Sequence, residues 1–280
     1  MITPVKKDYI TTHAYVPEHL PGYVNTISQT EPYLFRDYLC YYGKGTLIFI
    51  GYPLKEPFDE SVARETLSSA IKKYDPEYVS LITPVALIPR DSCDKNNSDH
   101  YYKIDLYHFN VNQKLRNMIK RASRELYSEK RQELSNEHTQ LILEFLSSHN
   151  VDDATRSILE RIPQYVSSVE TAHVFSARNK AGRLIAFDIV EFGAKNYAFY
   201  MFNFVSHQHY VPGASDFLIY EVVRVAQEQG KSSINLGLGI HRGIIFFKRK
   251  WGGIPFLPYE FCFYQRSHRN KLKYLFEKFS

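Results

Sequence analysis

A glycine-bearing turn between two ordered segments is the first feature of this chain that could do chemistry. Gly213-Ala-Ser-Asp216 follows the aromatic run 196–205 and precedes residues 217–229, which have the apolar spacing of a helix. The first N–H groups of a helix have no partner within it, and the helix dipole adds partial positive charge there. The turn therefore predicts a site for a phosphate-bearing ligand, such as a nucleotide or an acyl carrier, held by the backbone of Gly213, Ala214, Ser215 and Asp216.

Polar residues in and beside the neighbouring apolar segments could supply the reacting groups. Asp188 interrupts the apolar run 184–192, where an unpaired carboxylate is costly unless it faces a cleft, so we predict that it acts as a general base. Asn203 either orients an acceptor or pairs with core backbone. His207 is a second candidate for proton transfer, since imidazoles titrate near neutrality, or else an ordinary loop residue. Glu191, close to a turn, is predicted to be exposed to solvent.

A basic and aromatic segment near the carboxyl end is a second candidate for anion binding. Its aromatic side chains are predicted to anchor one face of a helix while its basic side chains line the other, where they could contact the phosphates of a ligand or of a nucleic acid. The alternative is a solvated helix end, where bases are favoured by the dipole. The aromatic residues are Phe246, Phe247 and Trp251, and the basic ones are Arg242, Lys248, Arg249 and Lys250. The basic row within 114–124 is interpreted as a solvated face.

Helices and strands alternate in an order that must position these groups. Up to residue 110 the patterns predict an α/β unit, with strands at 45–50, 78–82 and 101–107, a helix at 59–74 and a polar loop at 91–99. The second part begins with predicted helices at 114–133, 138–148 and 152–166. Strands follow at 173–177, 184–192 and 196–205, then the helix 217–229 and a strand at 233–237. This order predicts an α+β fold with one parallel crossover.

Composition and charge narrow the class of protein. A hydrophobic share of 44% over 280 residues excludes a disordered or fibrous chain. Residues 1–110 hold 11 basic and 14 acidic side chains, a charge of −3, so the remaining 24 basic and 16 acidic residues give 111–280 a charge of +8. The uneven charge favours an anionic ligand on the second part.

The cysteines and the apolar runs bear on the compartment. Cys40, Cys93 and Cys262 match no metal-ligand spacing, which predicts reduced thiols, a cytoplasmic protein and no metal. No apolar run reaches the ~18 residues of a membrane span, so stable membrane insertion is not expected.

Four segments together resemble a known superfamily. Tyr210-Val-Pro-Gly-Ala-Ser215 is similar to the pyrophosphate loop of GNAT acyltransferases, with Tyr210 where that pattern has Arg or Gln. The basic stretch 114–122 and the segments 236–243 and 247–259 resemble the branch with the Fem aminoacyltransferases and phosphatidylglycerol lysyltransferases. The resemblance implies two tandem GNAT-like lobes with mixed, mostly antiparallel central sheets. Residues 1–110 would be a degenerate lobe, and 111–280 the lobe with the donor site.

The resemblance also implies a reaction. A GNAT acyltransferase moves an acyl group from a donor, here most simply acyl-CoA as co-substrate, to a small-molecule or peptide amine by direct attack. The donor would lie along the strand that contains Phe204 and Val205, against the turn at Gly213 and the side chains of Lys248 and Lys250. Two alternatives stay open: an aminoacyltransferase that uses charged tRNA, and a binding module whose cofactor loop has decayed.

Overall fold

The computed structural model describes residues 2–266. The first part of the chain contains helices, strands and two short 3₁₀ turns, Pro17–His19 and Arg90–Ser92. Its helices and strands are α1 (Pro4–His13), α2 (Pro21–Ser28), β1 (Glu31–Phe35), β2 (Tyr38–Gly43), β3 (Thr46–Ile50), α3 (Glu60–Tyr74), β4 (Tyr78–Thr83) and β5 (Lys95–Asp105).

The second part begins with helices and then alternates in a meander. Its elements are α4 (Gln113–Ala122), β6 (Leu126–Arg131), α5 (Asn136–Ser148), α6 (Asp153–Glu160), α7 (Ile162–Ser168), β7 (Ala172–Asn179), β8 (Leu184–Glu191), β9 (Tyr197–Val205), α8 (Ala214–Glu228), β10 (Ser233–Leu238), α9 (Arg242–Lys250) and β11 (Ile254–Gln265).

The strands form one sheet in the order β1-β2-β3-β4-β11-β5-β10-β9-β8-β7-β6. Neighbours are antiparallel except for β3–β4 and β9–β10, which are parallel and connected by α3 and α8. The prediction of an α+β fold with a mostly antiparallel sheet is confirmed: the second part has its one predicted parallel crossover, β9–β10, and the α/β unit of the first part adds another, β3–β4.

The last strand connects the two parts of the chain. β11 lies between β4 and β5 and pairs antiparallel with both. The sheet of the first 110 residues is therefore completed by a strand from the carboxyl end. The division into lobes at residue 110 stays a prediction.

β8 at the centre of the second part has helices on both faces. All of its residues are buried. Ala186 and Val190 pack with α8 in one core cluster, while Phe187 and Ile189 pack with α5 and α7 in another. A strand covered on both faces is apolar throughout. The carboxylate of Asp188, which shares the α8 face with Ala186 and Val190, therefore stands out in the sequence.

The amino-terminal segment covers the opposite face of the same region. Ala14 and Leu20 pack against Phe199 of β9, and the side-chain amide of Asn235 in β10 donates to the carbonyl of Tyr15 at 2.8 Å. The strands β9 and β10 thus lie between α8 on one face and residues 14–23 on the other.

Two predicted elements were wrong. The helix predicted at 114–133 ends at Ala122, and β6 follows as the edge strand of the sheet. Edge strands often carry charged side chains, which gave this strand the polarity of an exposed helix. The segment predicted as a loop at 91–99 is instead the start of β5 from Lys95 onward. Its polar residues pair with β11 through the backbone while their side chains stay mostly exposed, so the polarity suggested a loop.

The prediction of reduced cysteines is contradicted. Cys93, beside β5, and Cys262, in β11, form a disulfide that links positions 169 residues apart in sequence. The pairing of β11 with β5 brings them together, and sequence spacing gives no sign of that pairing. Cys40 is buried and free.

We predict a stepwise thiol count that tests this bridge. In the native, unreduced protein no thiol should react with a chromogenic disulfide reagent, because Cys40 is buried and burial raises the pKa of its thiol. Denaturation without reductant should expose one thiol, and denaturation after reduction three. Three thiols without reductant would contradict the disulfide, and the variant Cys40→Ser, with none before reduction, is the control.

Candidate active site

The pairing between β9 and β10 stops early and leaves one edge of β9 open. The two strands pair only over Tyr197–Phe199 and Ser233–Asn235. From Tyr200 to Val205, β9 keeps its pairing with β8 but has no strand partner on its other edge within residues 2–266. Alternate N–H and C=O groups along that edge are therefore available to a ligand.

A bulge on each strand lies where the pairing stops. Met201 is an extra residue in β9 against β8, and Leu236 is an extra residue in β10 against β5. Bulges bend a strand and increase its twist. Asn235 fixes the second bulge, because its buried side chain accepts from the N–H of Gly237 at 2.8 Å. We attribute the divergence of β9 from β10 to these two irregularities.

The amino end of α8 presents unpaired N–H groups near the divergence. The N–H of Ala214 donates to the carbonyl of Val211. Within residues 2–266 no partner is found for the N–H groups of Gly213, Ser215 and Asp216. Three of the four predicted backbone donors therefore remain available.

Gly213 is required for this geometry. Its φ of +84° lies in the left-handed region, and a Cβ there would come within 3.2 Å of the Met118 side chain in α4. The turn can therefore pack closely under α4 only with glycine at this position.

Three of the predicted site residues form one hydrogen-bonded chain. The amide of Asn203 donates to Oδ1 of Asp188 at 2.6 Å, and the hydroxyl of Ser215 donates to Oδ1 of Asn203 at 3.3 Å. This chain links β8, β9 and the first turn of α8. Asn203, whose role the sequence left open, is exposed and connects the buried carboxyl to the helix end.

The carboxyl of Asp188 has the properties of a proton acceptor near neutral pH. It is 0% exposed, and burial raises its pKa to about 7, with smaller opposing effects from Asn203 and the Tyr200 hydroxyl. Its Oδ2 and the Tyr200 hydroxyl are close enough to influence each other, yet neither has the geometry of a hydrogen bond to any group. An acid that titrates near pH 7 can exist in both protonation states during a reaction.

Lys248 lies inside the protein instead of on the predicted basic face. Its Nζ donates to the carbonyl of Leu238 at the end of β10 and lies 5.8 Å from the centre of the Tyr102 ring. Burial lowers the pKa of Lys248 to about 7, with Asp99 acting in the opposite direction. Asp188 lies on β8, the neighbour of the diverging strand β9, and the Lys248 side chain extends from α9 to the end of β10, so two groups with a pKa of about 7 lie beside the strands that diverge.

Lys250 and Asp216 bind each other. Lys250 Nζ lies 2.7 Å from Oδ1 of Asp216 and 2.8 Å from Oδ2, and the indole N–H of Trp251 donates to Oδ1 at 2.8 Å. These contacts connect the end of α9 to the first turn of α8. The Lys250 ammonium is occupied by this contact, while the main-chain N–H of Asp216 remains unpaired.

His207, Phe204 and Val205 have other surroundings. His207 is exposed, and its ring lies 5.7 Å from that of His149 after α5, so the structure does not bring it to Asp188. The Phe204 ring is buried against Phe145 and Phe187. Val205 packs in the core cluster beneath α8. Phe204 and Val205 can contribute to a ligand site through their backbone.

Two further side-chain predictions were wrong. Glu191 is 2% exposed and accepts from the Tyr165 hydroxyl at 2.8 Å and the N–H of Gly193 at 2.9 Å. These donors allow a carboxylate in the core. Phe246 is 71% exposed, whereas Trp251 is buried as expected.

Sequence reasoning missed Tyr200 and Asn235. In a chain with 22 tyrosines, the residue type carried no signal for Tyr200. The one available signal for Asn235 was a buried-strand pattern with a polar residue directly before Leu-Gly, which is compatible with a bulge.

Comparison with solved structures places this geometry in a known fold. The chain is similar to the C-terminal domain of a candidate lysylphosphatidylglycerol synthetase from Agrobacterium fabrum, with TM-score 0.62, 16% identity, and coverage of 91% of this chain and 90% of that one. It is also similar to FemX (TM-score 0.58, 11% identity, 93% and 96% covered). A GCN5-related N-acetyltransferase from Kribbella flavida gives TM-score 0.53 at 12% identity, with 85% and 91% covered. No protein-family model and no curated protein sequence matches the chain.

The protein has a GNAT-like fold, and its structural neighbours include proteins of the Fem and lysyltransferase type. The resemblance inferred from sequence is confirmed at the level of the fold. Within residues 2–266, no helix combines the length and hydrophobicity needed to cross a bilayer.

The raised pKa of Asp188 gives a prediction about stability. Its folded-state pKa of about 7 exceeds the ordinary value of 3.8, so the folded protein holds this proton more tightly than the unfolded chain. The stabilisation is complete below pH ~4 and is lost as the pH rises through ~7, by an amount on the order of 4 kcal/mol. Asp188→Asn should lack this loss, so its free energy of unfolding relative to the unsubstituted protein should increase with pH.

Urea unfolding at pH 4.5, 6 and 7.5 measures the effect. Asp91→Asn, at an exposed position, is the control and should follow the unsubstituted protein at each pH. A constant difference between Asp188→Asn and the unsubstituted protein would contradict a raised pKa.

Proposed function

We propose that the protein is an acyltransferase that moves an acyl group from a phosphate-bearing donor, in the first place acyl-CoA, to an amine. The observation that carries the proposal is the divergence of β9 from β10 beside an α8 terminus with unpaired N–H groups at Gly213, Ser215 and Asp216. Main-chain N–H groups at a helix end bind phosphate without a basic side chain. Binding therefore does not require Arg or Gln at the position of Tyr210.

The open edge of β9 supplies the second requirement. An acyl donor that lies along this edge can place its carbonyl oxygen on a main-chain N–H, which stabilises the negative charge that develops during attack. Holding the donor and the amine in contact supplies much of the remaining rate enhancement.

Asp188 is the base in this proposal, and Asn203 orients the acceptor. The attacking nitrogen forms a bond to the acyl carbon, the bond from that carbon to the thiolate breaks, and the amine proton passes to the Asp188 carboxylate. The buried Tyr200 hydroxyl beside Oδ2 offers a route for that proton. Lys248, with its pKa near 7, is suited to protonate the leaving thiolate.

An aminoacyl-tRNA donor is the second candidate. The charge of +8 on residues 111–280, the basic row on α4 and the exposed Arg242 and Arg249 of α9 favour a polyanionic donor. The neighbouring FemX and lysylphosphatidylglycerol synthetase structures support the same direction. A binding module without catalysis is the third candidate.

Coenzyme A should bind at the α8 terminus. At ~100 times its dissociation constant, a ligand adds about 2.7 kcal/mol to the free energy of unfolding, which should raise the melting temperature by several degrees. Ser215→Glu should weaken coenzyme A binding about tenfold or more, because it places a negative charge beside the free N–H groups. Calorimetric titration measures both dissociation constants.

Ser215→Ala is the matched control for this titration. It removes the hydroxyl contact with Asn203 but leaves the main-chain donors, so its affinity should stay close to that of the unsubstituted protein. Gly213 is unsuitable for this test, since its positive φ makes any substitution a folding change as well. No response to coenzyme A, with a salt-sensitive shift of tRNA in a gel, would favour the second candidate. No response to either ligand would leave the non-catalytic binding module as the remaining candidate.

The proposed base predicts the pH dependence of transfer. Release of thiol from acetyl-CoA in the presence of a panel of primary amines should have a bell-shaped pH profile centred near 7, because the rate increases as Asp188 loses its proton and decreases as Lys248 loses its own. Asp188→Asn should lower the rate about 100-fold or more. His207→Asn, which alters an exposed ring, should change it little. An unchanged rate in Asp188→Asn would exclude this residue as the base.

A further inference from the structure

Glu18, in the 3₁₀ turn before α2, is a carboxylate without a cation in a group of tyrosines. Its Oε2 accepts from the Tyr101 hydroxyl at 2.7 Å. Within residues 2–266 no lysine, arginine or histidine forms an ion pair with it. The residue as a whole is partly buried, and its carboxyl lies inside the protein. A carboxylate removed from water usually pairs with a positive charge. Glu18 has no such partner among residues 2–266, and a cationic ligand could supply one.

Five tyrosines lie close enough to Glu18 to interact with its charge, and the rings of three of them are in contact. The Tyr101 ring contacts Tyr52 and Tyr259 edge to face, with centroids 5.8 Å and 5.5 Å away. The negative charge of Glu18 adds to burial in raising the pKa of the hydroxyls of Tyr23, Tyr41, Tyr52, Tyr101 and Tyr259. Tyrosine side chains gathered at a carboxylate offer hydroxyl oxygens and rings, and both can contact an ammonium group.

This group borders the divergence of β9 and β10 from the face opposite α8. Tyr101 pairs with Leu238 at the end of β10. The Tyr23 ring lies 6.4 Å from that of Phe202, on the open part of β9. Tyr23, Phe202 and Leu238 are each partly exposed. A molecule bound at Glu18 would therefore lie beside both strands that part.

We propose that Glu18, with Tyr23, Tyr101 and Tyr259, forms a binding site for a primary ammonium group. The proposal rests on the proposed function only in giving the reason for such a site: the amine of the transfer must be recognised. Two sources share this chemistry, a free acceptor amine and the α-amino group of an aminoacyl donor. Binding itself involves no covalent step and can be measured without any transfer.

Pentylamine and L-alaninamide distinguish the two sources, and 1-pentanol is the neutral counterpart of the first. Pentylamine should bind. The affinity for 1-pentanol should be at least about tenfold lower, because the alcohol leaves the carboxylate without a cation. Calorimetry with ligand-observed NMR gives the dissociation constants. Preference for L-alaninamide would assign the site to an aminoacyl donor, and preference for pentylamine to an acceptor.

Glu18→Gln tests the carboxylate while keeping an acceptor for Tyr101. Pentylamine binding should weaken about tenfold or more, and Glu133→Gln, at an exposed carboxylate with no hydrogen bond or ion pair to residues 2–266, should leave it unchanged. Tyr23→Leu is the second variant, and it should weaken the amine more than the alcohol. Unchanged melting temperatures establish that the variants are folded.

The affinity for pentylamine should also depend on pH. Burial raises the pKa of Glu18, with the Tyr101 hydroxyl acting against it. The carboxylate form, and with it the affinity, should increase as the pH rises through that pKa, and Glu18→Gln should lose this dependence. The other titratable groups that face Glu18 are the five tyrosines, whose raised pKa values keep them neutral throughout.

Three results would overturn the site: no amine binding, equal binding of pentylamine and 1-pentanol, or unweakened binding in Glu18→Gln. These outcomes are separable from those of the proposed function. Amine binding without any acyl transfer would support this site and contradict the proposed transferase activity. Coenzyme A binding and acyl transfer, together with unweakened amine binding in Glu18→Gln, would support the transferase and exclude this amine site.

Discussion

The candidate site depends on one constraint, the point at which β9 stops pairing with β10. Two parallel strands that ran side by side to their ends would leave no open edge and no room for a donor. Here the pairing ends at Phe199, where extra residues at Met201 and Leu236 bend the strands. The amide of Asn235, bonded to both Tyr15 and Gly237, holds one of these bulges from within the core. A buried polar residue that fixes a backbone irregularity thus determines where a ligand can enter.

The same divergence explains two costly groups in the interior. Asp188 and Lys248 each lose hydration without gaining an ion pair with the other, and burial brings both pKa values to about 7. A core selected for stability alone would replace such groups with apolar side chains. Their positions beside the two diverging strands, Asp188 on β8 next to β9 and Lys248 on α9 at the end of β10, fit a site that must exchange protons, since perturbed groups of this kind concentrate where chemistry occurs. By contrast, Glu191, on the same strand as Asp188, accepts hydrogen bonds from the Tyr165 hydroxyl and the N–H of Gly193, and these bonds account for its burial.

Local patterns predicted much of the fold and part of the site. The helix at Glu60–Tyr74, the meander of β7 to β9 and the turn at Gly213 follow from spacing, capping and glycine placement, which are properties of short segments. β6 was misassigned because an edge strand tolerates charge. The disulfide and the insertion of β11 were missed because both depend on pairing between the two ends of the chain. The inward direction of Lys248 could not be read from a basic run, since only packing decides which of three adjacent bases is buried.

In the proposed transfer, each face of the sheet would hold one of the two substrates. Asp188, Asn203 and the α8 terminus lie on one face, and Glu18, in the amino-terminal segment, lies with its tyrosines on the other. A continuous sheet would separate these groups, so a donor and an amine held on opposite faces could react only where β9 and β10 part. This arrangement would let two large molecules approach from opposite sides without competing for one surface. In the same proposal the amino-terminal segment would form the other wall of the opening, although its residues are far from the α8 turn in sequence.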